Sequence, residues 1–368
     1  MSKFDECKKF FDTDKIGELT DRMEGLLWLM LKSITRKELL NSFCEFSKIN
    51  LHSTSISSQS KELYEILLFD VKKSLDLLKN FIKTKASLLL IEDEEMIASE
   101  LYKIRNFSWG GDYTNALDKF LVDRYIKIYK SYDEISKKLE TEIPSAVNGY
   151  VMCSWYNHWS TILIENIFKK HNKVLPAIGN VKKVDFFIED IPFDLKTTYL
   201  PSNFIDSKRK EFGLKNELAE LKSIAKKYNI HFNTEGRAKD IHYEIVEKIK
   251  DCDILECKKY LEEINIFRGK LVRECIKEPM QLVRNLYENQ GEMRFDASNR
   301  LFVVLVDVND FENSWKLKRN PTLLRKYINS YLDSFNKDKV SNMKITFTHK
   351  AKTGEFSSIS DIIFIVKE

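Results

Sequence analysis

Cysteine, proline and glycine are all scarce in this 368-residue chain, at 6, 6 and 11 residues. Six cysteines scattered over that length (Cys7, Cys44, Cys153, Cys252, Cys257 and Cys275) are too few for a disulfide scaffold and fit a reducing compartment. Only Cys252 and Cys257 lie close in sequence, and with His231 and His242 they match no zinc-ligand spacing, so they read as ordinary buried thiols. The low glycine and proline content excludes collagen-like and low-complexity chains. Long apolar runs are missing as well: Leu26–Leu31, the longest early one, is far short of the roughly 18 residues a membrane span requires. The opening MSKFDECKKFF carries acids where a secretory signal has a basic and then an apolar stretch. A cytoplasmic protein without a membrane partner is the expectation. A dominant charge is also lacking, since 60 basic and 56 acidic residues leave only +4, too mild to demand a nucleic-acid partner.

What is present is enough apolar material for a sizeable core: 43% hydrophobic and 12% aromatic residues exclude wholesale disorder. The pattern along the chain is of the α/β (α+β) class, a mixed central sheet flanked by helices, with a large helical N-terminal region and a helical insertion. Residues 1–145 read as consecutive amphipathic helices suited to DNA recognition or dimerisation, broken by a turn at Phe107–Asp112 that contains Gly110 and Gly111. In residues 146–204, a helix from about Ser154 to Lys170 carries Trp155, Trp159, Ile162 and Leu163 on one face, and strands follow at Val174–Ile178, Val184–Ile188 and Ile191–Leu200. Residues 205–298 form a charged helical insertion. In residues 299–368, Leu301–Val306 is a continuous apolar run, as in a strand covered on both faces, and Asn320-Pro321 opens another helix. Two final strands are expected near Met343–His349 and Asp361–Val366.

The segment that carries chemistry is Val184–Thr198. A turn at Glu189-Asp190 pairs Ile188 with Ile191, Phe186 with Phe193, and Asp185 with Asp194 across a hairpin. Cross-strand carboxylates about 5 Å apart repel unless a cation is shared between them. Hard carboxylate oxygens suit Mg²⁺, which can carry water and stabilise charge on a phosphate. The period of two puts Lys196 on the face of Asp194, where an ammonium can hold the phosphate or activate the water. The intervening Leu195 can turn its backbone carbonyl toward the metal while its side chain packs on the other face. A structural ion-pair cluster of Asp185, Asp194 and Lys196 is the competing reading, and Glu189 or Asp190 replaces a ligand if the register differs.

Asp185 as first acid and Asp194-Leu195-Lys196 as a (D/E)xK element, within a helix, three-strand, helix, strand order, resemble the PD-(D/E)xK nuclease superfamily, and type II restriction endonucleases in particular. The resemblance covers Glu165–Lys196, with weaker support from the Leu301 strand and the helix after Pro321. Val184 stands in place of the motif's proline, and the second acid is Asp. The resemblance implies a restriction-endonuclease-like core and Mg²⁺-dependent cleavage of double-stranded DNA, with Mn²⁺ able to substitute. Asp185 and Asp194 would be the metal ligands, Lys196 would assist the attacking water, and Glu165 would be the contributing acid on the preceding helix. It implies further a homodimer and a cognate DNA methyltransferase as functional partner. A repair, recombination or phage-defence nuclease with the same site, and a non-catalytic nucleic-acid-binding protein on a nuclease-like scaffold, are the alternatives. Glu165 can equally be a solvated helix acid, and His158 beside Trp159 a packed histidine.

The mild total charge conceals a local excess. Residues 311–353 hold ten basic and three acidic side chains, a net of +7. Lys316, Lys318 and Arg319 just before the Pro321 helix, Lys182 and Lys183 before Asp185, and Thr197 and Thr198 after Lys196 are the expected DNA-contacting residues.

Overall fold

Why the chain forms a sheet is clearest in its most apolar strand, RLFVVLVD, buried along its whole length. Alternation sends Leu301, Val303 and Leu305 into one core and Phe302, Val304 and Val306 into another, so the strand needs cover on both faces. The computed structural model describes residues 2–105, 117–179, 181–234, 238–291 and 295–368; the turn expected at Phe107–Asp112 lies outside them. Among the described residues six strands form one mixed sheet: β1 (Val174–Pro176), β2 (Phe186–Ile188), β3 (Ile191–Tyr199), β4 (Arg300–Asp307), β5 (Lys344–His349) and β6 (Lys352–Lys367), in the order β1-β2-β3-β4-β6-β5. β1, β2 and β3 are an antiparallel meander, β4 runs parallel to both β3 and β6, and β5 closes the far edge antiparallel to β6.

On one face lie the helices Ile143–Lys169, through Ile164, Ile167 and Phe168, and Pro321–Ser334, through Leu324, Ile328 and Leu332. The second of these starts as its sequence dictates, with the Asn320 side chain accepting the Leu323 N–H at 3.1 Å and Pro321 in the first turn. The first begins eleven residues before the expected Ser154, because Pro144 occupies its first turn, where no N–H is needed, and does not end a preceding element.

The other face is covered by Ser202–Glu211, Leu255–Lys277 and Met280–Glu288, whose Phe204, Ile205, Leu271, Leu282 and Tyr287 pack on β4 and β5. The expected 205–298 insertion thus divides. Its ends belong to the sheet, while Glu217–Lys227, Ala238–Asp251 and the first half of Leu255–Lys277 gather a separate core around Leu221, Ile245, Ile249 and Cys257. A buried charge network ties that core to the sheet. Arg268 donates to Glu217 at 3.2 Å and to Glu312 at 2.9 Å, and His242 bridges Glu217 at 2.8 Å and Glu312 at 3.5 Å. Burial alone would lower His242, but the hydrogen bonds and charges of Glu217 and Glu312 push it up to about 9. This network holds His242, and Cys257 is buried in the insertion core with no metal-binding group around it among the described residues.

The N-terminal helices are likewise two units. Residues from Lys3 to Ser87 build a core of their own that takes in Leu175 of β1 and Phe187 of β2 and so shields the β1 edge. Glu94–Tyr102 packs on Ile143–Lys169, where the buried Glu94 carboxylate accepts from Lys170 at 2.6 Å and is also paired with Arg325. Among the described residues no helix is long and apolar enough to cross a membrane.

Candidate active site

The site is built on the β2–β3 hairpin. Its two-residue turn requires left-handed backbone at both central positions, and Glu189 (φ 47°) and Asp190 (φ 75°) adopt it without glycine. Ion pairs offset that strain: Lys79 meets Asp190 at 2.6 Å and Lys173 meets Glu189 at 3.8 Å. The register follows from the turn, with Ile188 opposite Ile191, Phe187 opposite Pro192 and Phe186 opposite Phe193. Pro192 has no N–H to give, and its carbonyl is taken by Asn299 Nδ2 at 3.2 Å.

One residue further the ladder ends, and Asp185 stands at its end. The Asp185 N–H donates to the Phe193 carbonyl at 2.8 Å, while its Oδ2 accepts the Leu195 N–H at 2.7 Å, replacing the main-chain acceptor that β2 no longer supplies. On the other side of β3, the Asp194 N–H donates to the Asn299 carbonyl at 2.9 Å. Parallel ladders bond alternate residues, so the Leu195 N–H and carbonyl are directed away from β4, toward Asp185. The Leu195 side chain packs with the core on the opposite face.

Asp194 is 6% exposed. Its Oδ1 receives Lys196 Nζ at 2.6 Å and its Oδ2 faces Arg300 Nε at 3.4 Å. The Lys196 side chain is 46% exposed, so a buried acid is joined to solvent by a lysine. Burial pushes the Asp185 carboxyl up to about 6; the charges of Asp194 and Glu165 add to this, and the Leu195 N–H and the Lys196 ammonium oppose it. Glu165 is ion-paired with Lys169 one turn along its helix, at 2.8 Å. It reaches Asp185 through its charge.

The donors suit a hard cation: two carboxylates and the Leu195 carbonyl, all oxygen. Among the described residues no group of three or more His, Cys, Asp or Glu side chains is gathered tightly enough to hold a metal. Mg²⁺ keeps several waters and takes one or two carboxylates, and Asp185 is a half-buried carboxylate whose one hydrogen bond comes from a backbone N–H, so the residues fit that ion.

The expected DNA contacts separate. Lys182 is exposed three residues before Asp185, and Thr197 and Thr198 are half-buried on β3. Lys183 is turned away, its Nζ paired with Asp14, donating to the Phe11 carbonyl at 3.1 Å and lying over the Phe11 ring. Lys316 is half-buried against Trp315. Lys318 and Arg319, expected at a phosphate, are buried instead, because residues 311–319 coil into a 3₁₀ helix wedged beside β4 and Ile143–Lys169. Lys318 donates to Asn157 Oδ1 at 2.9 Å, and its burial beside the Lys239 charge lowers it to about 8. Arg319 donates to the carbonyls of Leu101, at 2.9 Å, and Ile104. These two cations act as internal clamps.

Arg300 is a further residue of the site. Heading an apolar strand, it carries no local signal, yet it is the cross-strand partner of Asp194 and is itself held by Asp296 at 2.9 Å and by the Tyr287 ring. No family model matches the chain, and no curated protein or solved structure matches it.

Proposed function

We propose that this protein is a Mg²⁺-dependent endonuclease acting on double-stranded DNA, of restriction type. The observation that carries the reading is the Asp185 carboxylate, held by the Leu195 N–H at the end of the hairpin ladder and within reach of the Asp194 charge, with Lys196 joining Asp194 to solvent. A long helix, an antiparallel three-strand meander and a parallel fourth strand, with a second helix on the face of the first, support a restriction-endonuclease-like core. Asp185 and Asp194 would hold the ion. When bound, Mg²⁺ supplies a Lewis acid and makes water a better nucleophile at neutral pH. Lys196, already within 2.6 Å of Asp194, is placed to orient the attacking water or a phosphate oxygen. The water oxygen forms the new bond to phosphorus, its proton passes to solvent, and one ester oxygen leaves. Lys182 at the exposed edge contributes phosphate attraction.

The test is digestion of supercoiled plasmid with Mg²⁺ or Mn²⁺, mapped by sequencing the ends, for wild type, Asp194→Ala and Lys196→Ala. Discrete fragments from wild type and a loss of at least 100-fold in both variants are expected. Cutting confined to branched DNA would move the reading to a repair, recombination or phage-defence nuclease. DNA binding without cleavage on varied sequences would leave a nucleic-acid-binding protein, and cleavage unaltered in both variants would refute the site.

A further inference from the structure

Arg300 is 4% exposed, an expensive place for a guanidinium, and its one ion pair besides that with Asp296 is with Asp194. Its Nη2 is anchored by Asp296 Oδ2 at 2.9 Å, and Asp296 in turn accepts the Ser298 N–H at 3.0 Å. Its guanidinium carbon lies 5.1 Å from the centre of the buried Tyr287 ring. Tyr287 is fixed by donating to the Ser298 carbonyl at 2.8 Å, and the Arg300 carbonyl accepts Ser360 Oγ at 2.8 Å. With the other end of the fork held, Nε remains. It is buried, has no hydrogen-bond partner, and faces Asp194 Oδ2 at 3.4 Å.

The two oxygens of Asp194 therefore have different fates. Oδ2 faces a rigid, buried cation at 3.4 Å, whereas Oδ1 meets the half-exposed Lys196 ammonium at 2.6 Å. We infer that Arg300 is a positioning residue that restricts Asp194 to one-oxygen coordination and thereby makes the site select Mg²⁺ or Mn²⁺ over Ca²⁺. The reason is geometric: Mg²⁺ accepts single oxygens in a strict octahedron, whereas Ca²⁺ takes six to eight oxygens and gains from carboxylates that bind through both. The inference rests on the proposed metal site at Asp185 and Asp194.

Calorimetric titration of the DNA-free protein with Mg²⁺, Mn²⁺ and Ca²⁺ separates the two ideas. Wild type should bind Mg²⁺ or Mn²⁺ and prefer them to Ca²⁺. In Arg300→Gln that preference should shrink by about tenfold, the lower end of the effect seen when a residue orienting a ligand is lost. Arg300→Lys, which retains the cation, should recover part of it. Because loss of a neighbouring positive charge strengthens binding of all three ions, the ratio is the diagnostic quantity. An unchanged ratio in Arg300→Gln overturns the inference and leaves the site standing. Absence of saturable Mg²⁺ or Mn²⁺ binding, or binding unaffected by Asp194→Asn, refutes the site itself. If Arg300→Gln does not fold, wild type decides: Ca²⁺ binding as tight as Mg²⁺ overturns the inference, and retention of the preference by Arg300→Lys supports it.

Discussion

Replacing Asp185 by Asn should make the protein more stable at neutral pH while abolishing its proposed activity. The amide keeps the shape of the carboxyl, and its oxygen can still accept the Leu195 N–H, so the change removes charge alone. The native carboxyl is pushed from 3.8 to about 6, chiefly by burial, and at 1.36 kcal/mol per unit this corresponds to about 3 kcal/mol. The sign follows from the direction. A carboxyl harder to ionise in the folded state than in the unfolded one costs nothing below its unfolded value near 3.8. The cost accumulates as pH rises and is complete above about 6. Urea denaturation followed by circular dichroism should thus show the variant more stable by about 3 kcal/mol at pH 8 and nearly equal to wild type at pH 3. A divalent ion completes the cycle, since Mg²⁺ at 100 times its dissociation constant should restore about 2.7 kcal/mol to wild type. The variant should gain much less. Destabilisation of the variant at pH 8, or a gain of equal size at pH 3, would show that the folded state does not penalise the Asp185 charge.

Other consequences concern the charges that the fold has enclosed. His242, raised to about 9 between Glu217 and Glu312, contributes stability that is fully present below pH 6.5 and lost as pH rises through about 9. The wild-type denaturation midpoint should therefore fall between pH 7 and pH 10, and His242→Gln should remove most of that slope; an unchanged slope would count against the network. Arg319→Met should cost about 2–4 kcal/mol, because two buried carbonyls lose a charged donor. The salt dependence of DNA binding should be unaltered in that variant. In contrast, Lys182→Ala should lower the slope of log affinity against log salt by about one while leaving stability unchanged. Reversed effects in these two variants would mean that the inward and outward cations have been confused.

Much of the fold is legible locally. The order of helices and strands follows from periodicity, the covered strand β4 from its unbroken apolar run, and the helix at Pro321 from its Asn-Pro start. The hairpin register is legible too, because a two-residue turn leaves one way to pair apolar residues with apolar residues, but it stops at Phe186 opposite Phe193: the expected Asp185–Asp194 pair is not part of the ladder, since the Asp185 N–H donates to the Phe193 carbonyl and its carboxylate takes the Leu195 N–H. Less legible are the ends. β2 begins at Phe186, and β6 is a single strand of sixteen residues where a shorter one starting at Asp361 is expected.

The sequence by itself determined which groups stand near the hairpin: the acids Asp185 and Asp194 each lie four residues from the turn at Glu189-Asp190, and Lys196 follows Asp194 by two. Such short-range geometry needs no knowledge of the rest of the chain. Tertiary structure alone decided which charges remain in solvent. Lys318 and Arg319 read as a basic patch in sequence and become internal clamps, because the enclosing groups, Asn157, Leu101 and Ile104, come from segments more than 150 residues away. It likewise placed Arg300 against Asp194 through a parallel pairing across the whole insertion. Parallel strands must be joined by long crossovers, so their partners leave no mark at short range, and burial turns the same cation from a phosphate ligand into a structural one.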